Sequence, residues 1–373
     1  MDNILKFDYC FGCGVCSIVC PKRIISIRLN KEGFYAPVID KKNECVDCGI
    51  CLDVCAFNHK DLAIETEPLK CWAAWSDDKL VRYECSSGGV GFEIGKQLIE
   101  QGYKAIGCRY DTKKQRAEHY VATTVKEFIQ SIGSKYIQSY TEEAFKLIDR
   151  KQMYIVFGTP CQIDSLRRMV RKFRCEDNFV FVDFFCHCVP SIYAWKAYMK
   201  MQEQITGEVK YVGWRNKNKV GWHDSWVMSI EGENGAIQSR MSQGDLFYRL
   251  FLGDVCLGKQ CEKECKYKND QSSADIRIGD LWGTTYKNNR DGVSALVAFT
   301  QEGKCIIKSL HNITLIEHSF DVVAEGQMKK NAKHKALSPI IMYMLKHNYS
   351  LKGFTFRATM FMQRVLSKFN SLL

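Results

Sequence analysis

The chain has 373 residues, 46% of them hydrophobic, with 19 cysteines and a formal net charge of +11. That apolar content supports a sizeable core spread over about two to three domains, and the odd cysteine count excludes a framework in which every thiol pairs within the chain. No apolar run approaches the roughly 20 residues of a membrane-spanning helix, and "MDNILKFDYC" has no apolar stretch behind a basic start, so the expectation is a cytoplasmic protein whose reduced cysteines serve as metal ligands.

Residues 10–21 read "CFGCGVCSIVCP", placing Cys10, Cys13, Cys16, Cys20 and Pro21 in the spacing Cys-x-x-Cys-x-x-Cys-x-x-x-Cys-Pro. Residues 45–55, "CVDCGICLDVC", repeat the run with Cys45, Cys48, Cys51 and Cys55, although Ala56 stands where the proline would be. In such runs three thiolates wrap one face of a 4Fe–4S cube, and the fourth, on the short helix that follows, reaches the neighbouring cube. The expected ligand sets are therefore crossed: Cys10, Cys13, Cys16 and Cys55 for one cluster, and Cys45, Cys48, Cys51 and Cys20 for the other. Gly12, Gly14 and Gly49 let the backbone bend close to the clusters. Two zinc sites are the competing reading, but zinc pairs usually come as two Cys-x-x-Cys units separated by a longer loop.

"HKDLAIETEPLK" (59–70) reads as a polar linker, after which strands and helices alternate. "SSGGVGFEIGKQLIEQG" (86–102) starts as a serine–glycine turn and continues as an amphipathic helix. "YKAIGCRY" (103–110), "MYIVF" (153–157) and "FVFVDFF" (179–185) read as strands, and "TEEAFKLIDRK" (141–151) as a helix capped by its threonine. The expected fold is α+β: a bacterial-ferredoxin-like module at 1–65, an α/β domain with a mixed, partly parallel sheet at 66–330, and a basic amphipathic tail at 331–373.

Three places in the larger domain carry chemistry. Ser86, Ser87, Gly88 and Gly89 precede a helix, where backbone N–H groups and the positive helix end suit a phosphate; a plain helix cap is the alternative. In "GSKYIQS" (133–139), Lys135, Tyr136 and Ser139 are candidates for contact with a phosphate or a ring. Cys161 follows one buried strand in "GTPCQ" and Cys186 the next in "FFCHC". Ligands collect beyond the carboxyl ends of strands in open α/β sheets, so these two thiols are expected to face one space, with Cys261 and Cys265 from "CLGKQCEKECKY" (256–267) as candidates to close it and Cys256 a third thiol in the same stretch.

In their order along the chain, "SSGGV", "GSKYIQS", "GTPCQI", "FCHCVPS", "CEKECKY" and "DIRIGDLWG" resemble the family of coenzyme F420 hydrogenase/dehydrogenase beta subunits, here with a ferredoxin-like module fused in front. The resemblance implies FAD beside an additional 4Fe–4S cluster on Cys161, Cys186, Cys261 and Cys265, which leaves Cys256 a buried spare and the first substitute for a ligand of that loop. It places the flavin at Ser86 to Gly89, at Gly133, Ser134, Lys135 and Tyr136, and at Thr159 and Gln162, with Asp280 a further landmark. It also implies an FAD-dependent oxidoreductase that exchanges single electrons with a ferredoxin or partner subunit and hydride with a deazaflavin or other small organic molecule. The alternative is an electron-transfer adaptor of a larger reductase with no substrate of its own. His187, beside a ligand position, is the candidate proton donor near the flavin, with a structural hydrogen bond as the alternative. The sequence departs from the family pattern in having Cys261-x-x-x-Cys265 for Cys-x-x-Cys, and Cys188 for glycine.

Three clusters and one FAD bring the charge of +11 to about +3, so nucleic acid is not required as a partner. The tail "KGFTFRATMFMQRVLSKFNSLL" (352–373) places Phe361, Val365, Phe369 and Leu372 at helical spacing beside Arg357, Arg364 and Lys368, which suits peripheral membrane contact, docking to a partner, or packing on the chain's own core. "WRNKNKVGWHDSW" (214–226) offers tryptophans for a pocket or for the core.

Overall fold

The computed structural model describes residues 3–218 and 220–369. Strands β1 (Ile25–Leu29) and β2 (Tyr35–Ile39) form an antiparallel hairpin between the two cysteine runs. Each run carries a short helix, Val15–Val19 or Ile50–Asp53, entered through a glycine with positive φ, Gly14 at 83° and Gly49 at 72°. At Gly14 a side chain would also strike Thr141, so the glycine serves the packing of the module as well as its turn.

The larger part is built on nine strands. These are β3 (Lys70–Ser76), β4 (Lys104–Asp111), β5 (Arg116–Ala122), β6 (Ser139–Tyr140), β7 (Tyr154–Phe157) and β8 (Phe179–Phe184), and, beyond a separate antiparallel sheet of β9 (Val209–Gly213), β10 (Val227–Gly232) and β11 (Gly235–Arg240), also β12 (Ile276–Asp280), β13 (Ser294–Ala298) and β14 (Ile313–His318). The order is β14-β3-β13-β12-β8-β7-β4-β5-β6. The central run β12-β8-β7-β4 is parallel and is flanked by antiparallel pairs on both sides. The sheet is therefore mixed and partly parallel, as expected. Alternating residues divide it into two faces. Ala105, Ile155, Val180 and Val182 pack with the helix Val90–Glu100; Ile106, Tyr154, Val156 and Phe181 pack with the helix Pro160–Lys172 and with Cys13, Val15 and Val19 of the N-terminal module. A further core joins the three-stranded sheet, the helix Ile192–Thr206 and the C-terminal helices Ser338–Lys346 and Phe354–Phe369.

The N-terminal module is bolted to the sheet by polar bonds. Tyr35 N–H donates to Gln138 Oε1 (2.8 Å), Ile27 N–H to Glu142 Oε2 (2.9 Å), and Ala56 N–H to Ser165 Oγ (3.0 Å). The expected linker is part of this mounting: Ala63 is buried, and its N–H donates to Asp164 Oδ2 (2.9 Å) and Ser273 Oγ (3.1 Å). Mounting also changes the expected helix at 141–151, which is helical only over Glu142–Phe145. The Thr141 hydroxyl donates to Cys13 O (2.9 Å) instead of capping. Trp214 and Trp222 are buried core anchors. Among the described residues, no helix is long and apolar enough to cross a membrane.

Candidate iron–sulfur and flavin site

Two hollows lie in the N-terminal module. One is lined by Cys20, Cys45, Cys48 and Cys51, the other by Cys10, Cys13, Cys16 and Cys55. Each set takes three thiols from one run and one from the other, because each run's short helix carries its last cysteine toward its neighbour's turn. Among the described residues no three Cys, His, Asp or Glu side chains converge tightly enough for a single ion; the thiols ring spaces. Burial raises the pKa of Cys10, Cys13 and Cys16 and pushes Cys55 up to about 12, so iron binding there displaces protons. Gly12 N–H donates to Cys10 Sγ (3.3 Å), a backbone dipole aimed at sulfur.

The inner hollow abuts the larger domain. Cys13 Sγ donates to Ser165 Oγ (3.2 Å), one turn along the helix that starts at Pro160 and carries Cys161. β7 and β8 are neighbours and parallel, so Cys161 and Cys186 leave the sheet at the same edge. Cys261 and Cys265 come from the loop around the helix Lys259–Lys263. Burial pushes Cys186 up to about 12 and raises Cys161, with the other thiols adding to both shifts. A fifth thiol is present: Cys188 is hydrogen-bonded to Cys261, which lowers the pKa of Cys188 and raises that of Cys261. Cys256 is buried in the same apolar core, but the groups acting on its thiol are Ser191 and Asp254 and, among the described residues, no other thiol, so Cys188, not Cys256, is the spare joined to the set. Only the path of the chain shows this, since both lie at plausible spacings.

Two lysines after Cys265 fasten the loop. Lys266 Nζ donates to Ala56 O (3.2 Å) and His59 O (2.8 Å), reaching back to the N-terminal module. Lys268 Nζ donates to Cys186 O (2.7 Å) and His187 O (2.6 Å). Burial opposes the charge of Lys268, yet the surrounding Cys186, Cys188, Cys265 and Cys261 keep its pKa above the ordinary value. Sequence reading missed both lysines; the alternation "CKYK" at 265–268 is their only local signal.

β3 runs parallel to β12, through β13, so its carboxyl end lies at the same edge. There Gly89, with φ of 87°, enters the helix Val90–Glu100. Ser86 Oγ accepts from Ser134 N–H (2.9 Å), joining two predicted segments, while Ser87 Oγ donates to Val293 O (2.8 Å) and Gly88 N–H to Ser294 Oγ (3.0 Å). Gly133 has φ of 86° and open space where a side chain would stand. Burial pushes Lys135 down to about 8, and its Nζ donates to Ser131 O (2.8 Å) and Ile132 O (2.9 Å). Lys217, which sequence reading missed, is likewise pushed down to about 8 by burial and donates to Ser87 O (2.8 Å). Both ammonium groups act on Cys85. Buried Lys217 and half-buried Lys135 thus flank the turn with their ammonium groups held by backbone carbonyls, and a diphosphate bound there would take over those donors.

Tyr136 borders this cradle, stacked on Trp226 (5.1 Å) and Phe251 (5.4 Å). Arg215 contacts the rings of both Trp226 and Trp282, which stack on each other, and donates to Tyr136 Oη and Asp280 Oδ2 (3.2 Å each). Asp280 also accepts from Trp222 Nε1 (2.6 Å). Phe251 continues the ring contacts to His187 (5.0 Å), whose Nε2 pairs with Asp254 Oδ1 (2.9 Å). Thr159 and Gln162 form the capping box of the helix bearing Cys161; Gln162 Nε2 donates to Ser139 Oγ (3.1 Å). These three residues therefore meet beside the thiol set.

A two-run iron–sulfur module on a mixed α/β sheet defines an iron–sulfur protein of the oxidoreductase class. Residues 9–59 match the 4Fe-4S dicluster domain. Residues 71–146 match the N-terminal part, and residues 151–319 the C-terminal part, of the coenzyme F420 hydrogenase/dehydrogenase beta subunit. The chain belongs to this family of beta subunits and carries an N-terminal 4Fe-4S dicluster domain. It is similar to one of the subunits of the F(420)H(2) dehydrogenase of Methanosarcina mazei, at 25% identity over 75% of this chain and 77% of the relative. Its fold is similar to that of a chain in the F420-reducing [NiFe] hydrogenase complex from Methanosarcina barkeri, with a TM-score of 0.50, 16% identity, and coverage of 78% of this chain and 91% of that one.

Proposed function

We propose that this chain moves single electrons between a ferredoxin or redox partner subunit and FAD, and hydride between FAD and a deazaflavin or another small organic molecule. The observation that carries the reading is the serial placement of thiol sets: an outer hollow with exposed Cys48, an inner hollow whose Cys13 touches Ser165, and the set at Cys161 on the same helix. Cys20, Cys45, Cys48 and Cys51 would hold one cluster, Cys10, Cys13, Cys16 and Cys55 a second, and Cys161, Cys186, Cys261 and Cys265 a third. When bound, clusters supply one-electron transfer and flavin supplies exchange between single electrons and hydride.

The chain's own residues do the positioning. The Ser86–Gly89 turn, Lys135 and Lys217 would take the flavin diphosphate, with Gly133 leaving room, Ser134 fixing the turn and Tyr136 facing a ring. Thr159, Gln162 and Ser139 hold the start of the helix that presents Cys161, while Arg215 and Asp280 brace the aromatic wall. His187, whose ring is held by Asp254, would deliver a proton near the flavin.

Anaerobic purification with iron, sulfide and flavin counted per chain tests this reading. About 12 iron atoms and one FAD are expected; about eight iron atoms remove the third cluster, and absence of flavin removes the hydride chemistry. Cys265→Ser should lose about four iron atoms, and unchanged iron overturns that assignment. A second reading, an adaptor without its own substrate, is favoured by the relatives' descriptions as part of a dehydrogenase and a member of a hydrogenase complex. Turnover of the isolated chain with a small-molecule acceptor separates the two.

A further inference from the structure

The carboxyl-terminal helices show an asymmetry that the electron-transfer reading does not use. Residues 326–373 contain nine Lys and Arg and no Asp or Glu, against a net charge of +11 for the whole chain. The helix Phe354–Phe369 packs one face on its own chain and leaves an apolar face outside. Phe356 and Gln363 are buried on the inner one, and Gln363 Oε1 accepts from Leu337 N–H (2.7 Å). At 100° per residue, Phe354, Phe361, Met362, Val365, Leu366 and Phe369 share the opposite face, an arc of about 140°. That face meets solvent: Phe354 is 88% exposed, Phe361 65% and Phe369 60%. Arg357, Arg364 and Lys368 share one flank of it, and among the described residues no carboxylate pairs with Arg357 or Arg364. The neighbouring helix Ser338–Lys346 adds exposed Ile340 and Tyr343. Leu372 lies outside the described residues.

An exposed aromatic face bordered by cations is costly in water and matched by an anionic bilayer surface, where rings enter the headgroup boundary and cations meet phosphates. A second copy of the chain would bring another set of like charges to the same face. We propose that the helix Phe354–Phe369 lies in the plane of an anionic membrane and seats the protein there as a peripheral, non-spanning element. The inner face keeps the helix on its own core, so docking needs no unfolding.

The experiment is co-sedimentation of the full, anaerobically purified chain with phosphatidylcholine vesicles, with or without phosphatidylglycerol, in low and high salt. Binding is expected only to the anionic vesicles and should weaken with salt. Phe361→Ser with Phe369→Ser should cut the partition coefficient about tenfold per site, and Arg357→Gln with Arg364→Gln about fivefold per site. Iron content and thermal unfolding should stay unchanged, because all four side chains are exposed. Failure to bind anionic vesicles, or equal binding by both double variants, overturns the proposal. So does a concentration-dependent dimer that the phenylalanine variant abolishes in the absence of vesicle binding.

Discussion

Arg277 offers the sharpest test of how the fold holds the third thiol set. It is fully buried at the base of the loop that follows Cys265. Its Nε and Nη2 donate to Asp183 Oδ1 and Oδ2, both at 2.7 Å, and its remaining donors reach Asn269 O and Gln271 O, both at 2.8 Å. Arg277→Met strands the Asp183 carboxylate without its cation, which costs about 3–5 kcal/mol of a total stability on the order of 5–15 kcal/mol. Asp183→Leu with Arg277→Met removes both charges and should recover about 3 kcal/mol of that loss, leaving the loop carbonyls at about 1 kcal/mol each. The loop anchor is gone in both variants, so both should lose about four iron atoms per chain. Anaerobic denaturant titration and iron assay read the two effects separately. A single variant within about 1 kcal/mol of the parent, or a double variant with full iron, would refute the reasoning.

Other consequences follow from individual side chains. Burial pushes His119 down to about 4, with Nε2 bonded to Phe157 O (3.0 Å). Its folded value lies below the unfolded one, so its contribution is complete above about pH 6.5 and is lost as the pH falls toward 4; at pH 5.5 the loss is about 1.4 kcal/mol. His119→Gln should remove that increment from the pH dependence of unfolding, and an unchanged slope between pH 7.5 and 5.5 would contradict it. Lys217→Met should lower flavin content while leaving iron intact, and full flavin retention would count against the cradle. Tyr267 has a buried hydroxyl with no partner among the described residues, in the cluster with Phe11, Cys161 and Cys265. Tyr267→Phe should keep all iron yet shift one cluster potential by an amount on the order of tens of millivolts; identical redox titrations would exclude a bond from this hydroxyl to cluster sulfur.

What the amino-acid sequence determined by itself was local. Thiol spacing in 10–20 and 45–55 specifies turns and short helices whose geometry is settled within each run, and the strands at 153–157 and 179–185 announce themselves as unbroken apolar runs. Tertiary structure decided whatever depends on distant segments meeting. It turned the Thr141 hydroxyl away from its expected cap toward Cys13, brought Cys188 rather than Cys256 beside Cys261, and delivered Lys217 to a turn 130 residues earlier. No local pattern records these partners, because burial and hydrogen bonding are satisfied by whichever groups the sheet order places together. The same holds at the carboxyl terminus. Periodicity marks an amphipathic helix, but only the packing of Phe356 and Gln363 shows that its apolar face is left for water.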